Sequence, residues 1–151
     1  MASHSAKIRW KHSGPSFVRG QFSRDHTWTF DGGAVIPASA SPAVVPGALA
    51  SHSHVDPEEA FVAAIASCHM LTFLHVAAHR GFQVESYEDE PVGVTTRDDQ
   101  GRTSISIVSL HPRIVYAGDK QPTEAELSLL HHLAHEQCFI ANSLKTAVSV
   151  N

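Results

Sequence analysis

Apolar and polar residues alternate over 6–12 (Ala-Lys-Ile-Arg-Trp-Lys-His) and again over His26–Phe30, as in two half-buried strands. Gly14-Pro15 breaks the first. Asp31-Gly32-Gly33 after the second is a hairpin signal and predicts a short return strand over Ala34–Pro37. Periodicity then stops. Residues 38–55 are rich in Ala, Ser, Pro and His and read as a long loop, of a length that compact domains often reserve for function or for folding over a partner.

The next segment carries both helix punctuation marks. Asp56 suits the N-cap, Pro57 the first helical position, and Glu59 completes a capping box. Gly81 suits the position just past the helix end, after His79 and Arg80. Between them apolar residues occupy nearly every face, from Ala60 and Phe61 through Ile65, Met70 and Phe73 to Val76 and Ala77. A helix apolar all round is expected to be buried and central, and covering it fully calls for a second subunit.

Residues 82–97 and 103–117 are rich in Val, Ile, Thr and Tyr and predict a hairpin of two long strands joined at Asp98–Arg102. Thr123-Glu-Ala-Glu126 after Pro122 is a capping box, opening a helix with Leu127, Leu130, Ala134 and Cys138 on one stripe. Alternation over Leu144–Val150 predicts a closing strand. The order βββ-α-ββ-α-β lacks βαβ alternation, so the expected fold class is α+β, built as one domain over residues 1–151.

Composition narrows the function classes. At 151 residues with 42% hydrophobic and 17% charged side chains, the chain can bury a core. Net charge is −4 with no basic stripe, which argues against nucleic acid as a partner. No uninterrupted apolar run reaches membrane-span length, and Met1-Ala-Ser-His-Ser-Ala lacks a basic segment leading into an apolar core. The expectation is a cytoplasmic protein with no membrane partner. No phosphate-binding glycine loop or dinucleotide fingerprint is present.

The chain has two cysteines, too few for a disulfide framework, and each falls on the apolar face of a predicted helix. Singly, each reads as an inert packing residue. As a pair on two helices that pack against the same sheet, they also suit a peroxide-reducing dithiol. One thiolate attacks the O–O bond and becomes a sulfenic acid, and the second condenses with it to a disulfide. Cys68 lies twelve residues beyond Asp56, about 18 Å from the positive end of its helix, so a cation must come from elsewhere.

Asp56-Pro-Glu-Glu-Ala-Phe-Val-Ala-Ala-Ile-Ala-Ser-Cys68-His-Met resembles the central-helix motif of the OsmC/Ohr family, the osmotically inducible and organic hydroperoxide resistance proteins. Ala134-His-Glu-Gln-Cys138 with Ser143 is similar to the family's resolving-cysteine segment, and Arg24-Asp25 before Thr27–Phe30 to its arginine-bearing strand. The resemblance implies a peroxidatic Cys68, a resolving Cys138, an active-site Arg24 (Arg19 being the competitor) and Glu58 orienting that arginine. It also implies an intertwined homodimer, an organic hydroperoxide as substrate, no bound cofactor, and an external lipoyl-type or small dithiol as reductant. Phe139 follows Cys138 where well-known members often carry proline.

The same residues have plainer readings. Glu58 is also an ordinary first-turn acid, Arg24 a solvated strand-end charge, and Phe61, Met70, Leu71 and Phe73 core. Glu58 and Cys68 stand about 15 Å apart along one helix axis, so a site using both with Arg24 is easier to build between two chains. Among the 12 histidines, His131, His135 and Cys138 share a helical face. His131 and Cys138 are about 10.5 Å apart in rise, too far to share one zinc ion. The alternative function is a non-catalytic member of the same family that binds an apolar ligand or a metal, with inert cysteines.

Overall fold

The computed structural model describes residues 1–45 and 47–151, so residue 46 of the expected 38–55 loop lies outside the described residues. The chain forms two compact units, Met1–Ala60 and Phe61–Asn151.

In the first unit β1 (Ala6–Trp10), β2 (His26–Phe30) and β3 (Val35–Ala38) form an antiparallel sheet in sequence order. Gly33, with φ +88°, closes the β2–β3 hairpin, where the Phe30 amide donates to Ala34 O at 2.9 Å. Ala34 is thus spent on the turn, and the return strand begins one residue later than expected. Between β1 and β2 the chain doubles back through a Ser16–Gln21 bridge that stacks Phe17 on Phe22, ring centroids 4.7 Å apart, beside Trp10. The 38–55 segment is more ordered than its composition suggests. It holds a 3-10 turn at Gly47–Leu49 and a parallel bridge from Ala38 to Val55.

Helix α1 (Pro57–His79) has the expected ends. Asp56 accepts the Glu59 amide at 2.8 Å while the Glu59 carboxylate accepts the Asp56 amide at 3.1 Å. At the other end Gly81 adopts φ +77°, and the Phe82 and Gly81 amides donate to Ala77 O and Ala78 O, a Schellman stop. By length and composition α1 reaches the size of a membrane span, which the broken apolar runs of the sequence had argued against. In this fold it packs against strands as a core helix does.

Beyond it lie β4 (Gln83–Glu88), β5 (Val92–Arg97), β6 (Thr103–Leu110), β7 (Arg113–Ala117), α2 (Glu124–Gln137) and β8 (Ala147–Val150). The predicted hairpin of two long strands is present in its pairing but cut in two. Glu88 pairs with Arg113 in the β4–β7 ribbon, and Val92 with Ser109 in the sheet β5-β6-β8. Pro91 and Pro112 sit in the two gaps, and neither has an N–H to give a ladder. The closing strand begins at Ala147 rather than Leu144 because a 3-10 turn at Ala141–Ser143 uses up the preceding chain, and it pairs parallel to β6.

Two apolar clusters hold this second unit together. Phe73, Val76, Ala77 and Phe82 pack with Leu130 and Ala134 of α2 and with Val84, Tyr87, Ile114 and Tyr116 of the β4–β7 ribbon. Ile65 and Ala66 pack on Val108 and Leu110 of β6. Gly93 permits that approach, since a Cβ there would lie 2.6 Å from Val62 Cγ2. Within the second unit the helix is therefore not buried on every face. Ile65, His69, Phe73 and Val76 form its buried stripe, whereas Ala64, Ser67, Leu71 and His75 stand exposed on the other side.

Candidate functional site

The expected thiol pair meets. Cys68 stands at mid-length on α1, and Cys138 caps the C-terminus of α2, where Ala134 and Leu130 anchor the preceding turns in the core. The capping box at Thr123, with the Glu126 amide donating to Thr123 Oγ1 and the Glu126 carboxylate accepting the Thr123 amide, fixes where α2 starts and hence where its last turn delivers Cys138. The Cys138 thiol donates to Cys68 Sγ across 2.7 Å, and both cysteines are free.

Their surroundings differ. Cys138 is buried, and burial, then its hydrogen bond to Cys68, pushes its thiol above the ordinary range. The Ala141 amide donates to Cys138 Sγ at 3.4 Å and works in the opposite direction. Cys68 is half-buried and opens onto a cavity of about 790 Å³. Ala64, Leu71, Phe139 and Ile140 supply its apolar wall, and Ser67, Thr72, His75, Glu136, Gln137 and Asn142 its polar one. The arrangement gives one accessible sulfur facing an apolar cavity and a second, protonated and enclosed, directly behind it.

Leu71 lines this cavity instead of the core, while Phe73 is wholly buried as core. Phe139 and Ile140 were not foreseen as wall residues. Their only sequence signal is position, immediately after Cys138 where the chain leaves α2.

Arg24 and Glu58 belong to the first unit. The Arg24 guanidinium lies 3.6 Å from the centroid of the Phe22 ring, and its Nη1 donates to the carbonyls of Phe22 and Gly20. It lines an apolar cavity of about 520 Å³ with Ile8, Trp10, Phe17, Phe22 and His26. Arg19 is exposed beside Gly20 in the 16–21 turn. Glu58 is exposed in the first turn of α1, and among the described residues no hydrogen bond or ion pair joins it to Arg24.

A histidine pair lies beside the thiols. His69 is buried, and its Nε2 lies 3.0 Å from Nδ1 of His131, an expected member of the α2 histidine stripe. Burial lowers both pKa values. For His69, with help from His131 and His135, the value falls to about 4, while Asp89 partly offsets the effect at His131. Among the described residues no group of three or more His, Cys, Asp or Glu side chains is placed to hold a metal.

The sign of the His69 shift fixes a pH dependence. Between pH 6.5 and 4 the unfolded chain binds a proton at this ring that the folded chain refuses, so stability falls as pH drops through that window. The loss at pH 4 is on the order of 3 kcal/mol from this group. Urea unfolding at pH 7 and pH 4.5 is expected to show the decline, and His69→Gln to flatten it.

The family model for OsmC-like proteins matches residues 50–151. An OsmC-like protein of unknown function from Vibrio cholerae is 51% identical, with 100% of this chain and 99% of that chain covered at a TM-score of 0.96. The organic hydroperoxide resistance protein OsmC of Legionella pneumophila shares 19% identity, with 100% and 99% covered and a TM-score of 0.68. For OhrB of Bacillus subtilis the identity is 21%, the coverage 97% and 95%, and the TM-score 0.63. At those two identities the likeness is one of fold. No curated protein matches the chain.

Proposed function

Because this chain belongs to the OsmC/Ohr family, we propose that it is a cysteine-based peroxidase that reduces organic hydroperoxides to alcohols. The observation that carries the reading is the contact between Cys68, open to an apolar cavity, and the enclosed Cys138 thiol. Two relatives in fold are named as organic hydroperoxide resistance proteins.

The Cys68 thiolate attacks the terminal peroxide oxygen. An S–O bond forms, the O–O bond breaks, and the alkoxide leaves and takes a proton. Cys138 then attacks the sulfenic sulfur, an S–S bond forms and water departs. An external dithiol, lipoyl-type or small, returns two electrons and restores both thiols. On the family resemblance, Arg24 is the proposed cation for the thiolate and the departing alkoxide, with Glu58 as its proposed orienting carboxylate. The apolar wall of Leu71, Phe139 and Ile140 favours organic peroxides over hydrogen peroxide.

The exposed apolar surface around the Cys68 cavity, with Leu71 of α1 61% and Phe139 just after α2 83% exposed, fits coverage by a second copy in a homodimer. The protein is assigned to the cytoplasm, where thiols are kept reduced. A second reading, a non-catalytic binder of apolar ligands, draws on the 520 Å³ apolar cavity of the first unit and predicts copurified ligand and inert cysteines.

Free thiols counted on the reduced protein before and after one equivalent of an organic hydroperoxide separate the two. Both thiols are expected to disappear into an intramolecular disulfide, faster than with hydrogen peroxide. Survival of both would sink the peroxidase and leave the binder.

A further inference from the structure

Two polar contacts join α1 to α2 in the second unit, and both start from adjacent residues of α1. One is Cys68–Cys138; the other is the His69–His131 hydrogen bond, 3.0 Å long between near-parallel rings. His69 occupies a wholly buried position between Ile65 and Phe73 on the core stripe, and its Nδ1 has no partner among the described residues. A leucine would fill that space without burying two ring nitrogens, so packing alone does not account for an imidazole there. The partner ring leans on Phe73, centroids 4.6 Å apart, which fixes its plane.

We propose that His69 and His131 are positioning residues for the thiol pair, their hydrogen bond setting the rotation and register of α1 against α2 that keeps Cys68 and Cys138 in contact. The apolar contacts around them are non-directional and tolerate sliding. A one-residue slip moves a helix by about 1.5 Å and turns it by about 100°. Disulfide closure tolerates far less, because Cβ atoms must approach to about 3.5–4.5 Å with the correct torsion. A ring-to-ring hydrogen bond is narrow in distance and angle, and this one acts next to the nucleophile itself.

The inference rests on the proposed disulfide chemistry, and its test avoids peroxide altogether. The full chain is equilibrated in glutathione redox buffers, and the effective concentration of the Cys68–Cys138 thiols is read from the fraction closed. His131→Leu is expected to lower it by about tenfold. His131→Asn, whose amide nitrogen takes the place of Nδ1, is expected to restore most of the loss, and His69→Gln to behave likewise against His69→Leu. Thermal unfolding of each variant confirms that a folded protein is compared.

An unchanged value in a folded His131→Leu, or equal losses in the leucine and amide variants, overturns the inference. If the wild-type disulfide closes and responds to the histidine variants but no hydroperoxide is consumed, the positioning role stands and the peroxidase reading fails.

Discussion

Serine at position 68 is expected to end hydroperoxide consumption, a loss of several orders of magnitude, with the fold unchanged. The substitution removes one polarizable atom from a half-buried position and leaves Thr72 Oγ1 on the Cys68 carbonyl and the rest of α1 in place. What it deletes is the accessible thiol of the two, since Cys138 is 1% exposed. A serine hydroxyl is not ionised near neutrality and does not attack an O–O bond as a thiolate does. Cys138→Ser should behave differently. The nucleophile survives, so one equivalent of peroxide is consumed per chain; with nothing behind it to resolve the sulfenate, Cys68 goes on to the sulfinic acid. Mass spectrometry after excess peroxide is expected to find two added oxygens on Cys68 in that variant and a disulfide in the wild type. Unchanged steady-state rates in Cys138→Ser would remove the two-cysteine mechanism.

That contrast depends on a contact between residues 70 positions apart, and it marks where local sequence stops being informative. The helix ends were legible because they are local: Asp56 with Glu59, Gly81, and Thr123 with Glu126 each act within one turn. The thiol pair was legible as a motif, and its members could be placed on two helices, but the contact at 2.7 Å is made by tertiary packing.

The break in the hairpin is hard to see in the sequence for another reason. The β-branched and aromatic run through 82–97 and 103–117 outweighed Pro91 and Pro112, although each proline removes a ladder donor. The His69–His131 bond was hidden by number: with 12 histidines in the chain, a pair 62 residues apart carries no local mark. The apolar pattern of α1 overstated burial because composition alone does not say which apolar face packs on the strands and which, like that of Leu71, stays exposed in the single chain.

That last point gives the second large effect. Phe73→Ala is expected to cost about 3–5 kcal/mol. The ring is wholly buried, packs against Tyr87 and His131 at 5.6 and 4.6 Å, and sits in a cluster drawn from α1, α2 and the β4–β7 ribbon, so little of the void can collapse. Against a usual total of about 5–15 kcal/mol, that loss puts the folded state at risk. Denaturant titration reads it directly as a lower midpoint with an unchanged slope.

Leu71→Ala, two residues away on the opposite face, is the informative companion. Leu71 is 61% exposed in a single chain, and truncating so exposed a side chain costs no more than about 0.5 kcal/mol. If a second copy covers this face, the cost rises to about 2 kcal/mol or more and varies with protein concentration. A small, concentration-independent value leaves the face open and removes the homodimer. A large value at micromolar protein that shifts on dilution means that the buried helix implied by the sequence is completed by two chains, with the Cys68 cavity beside the seam.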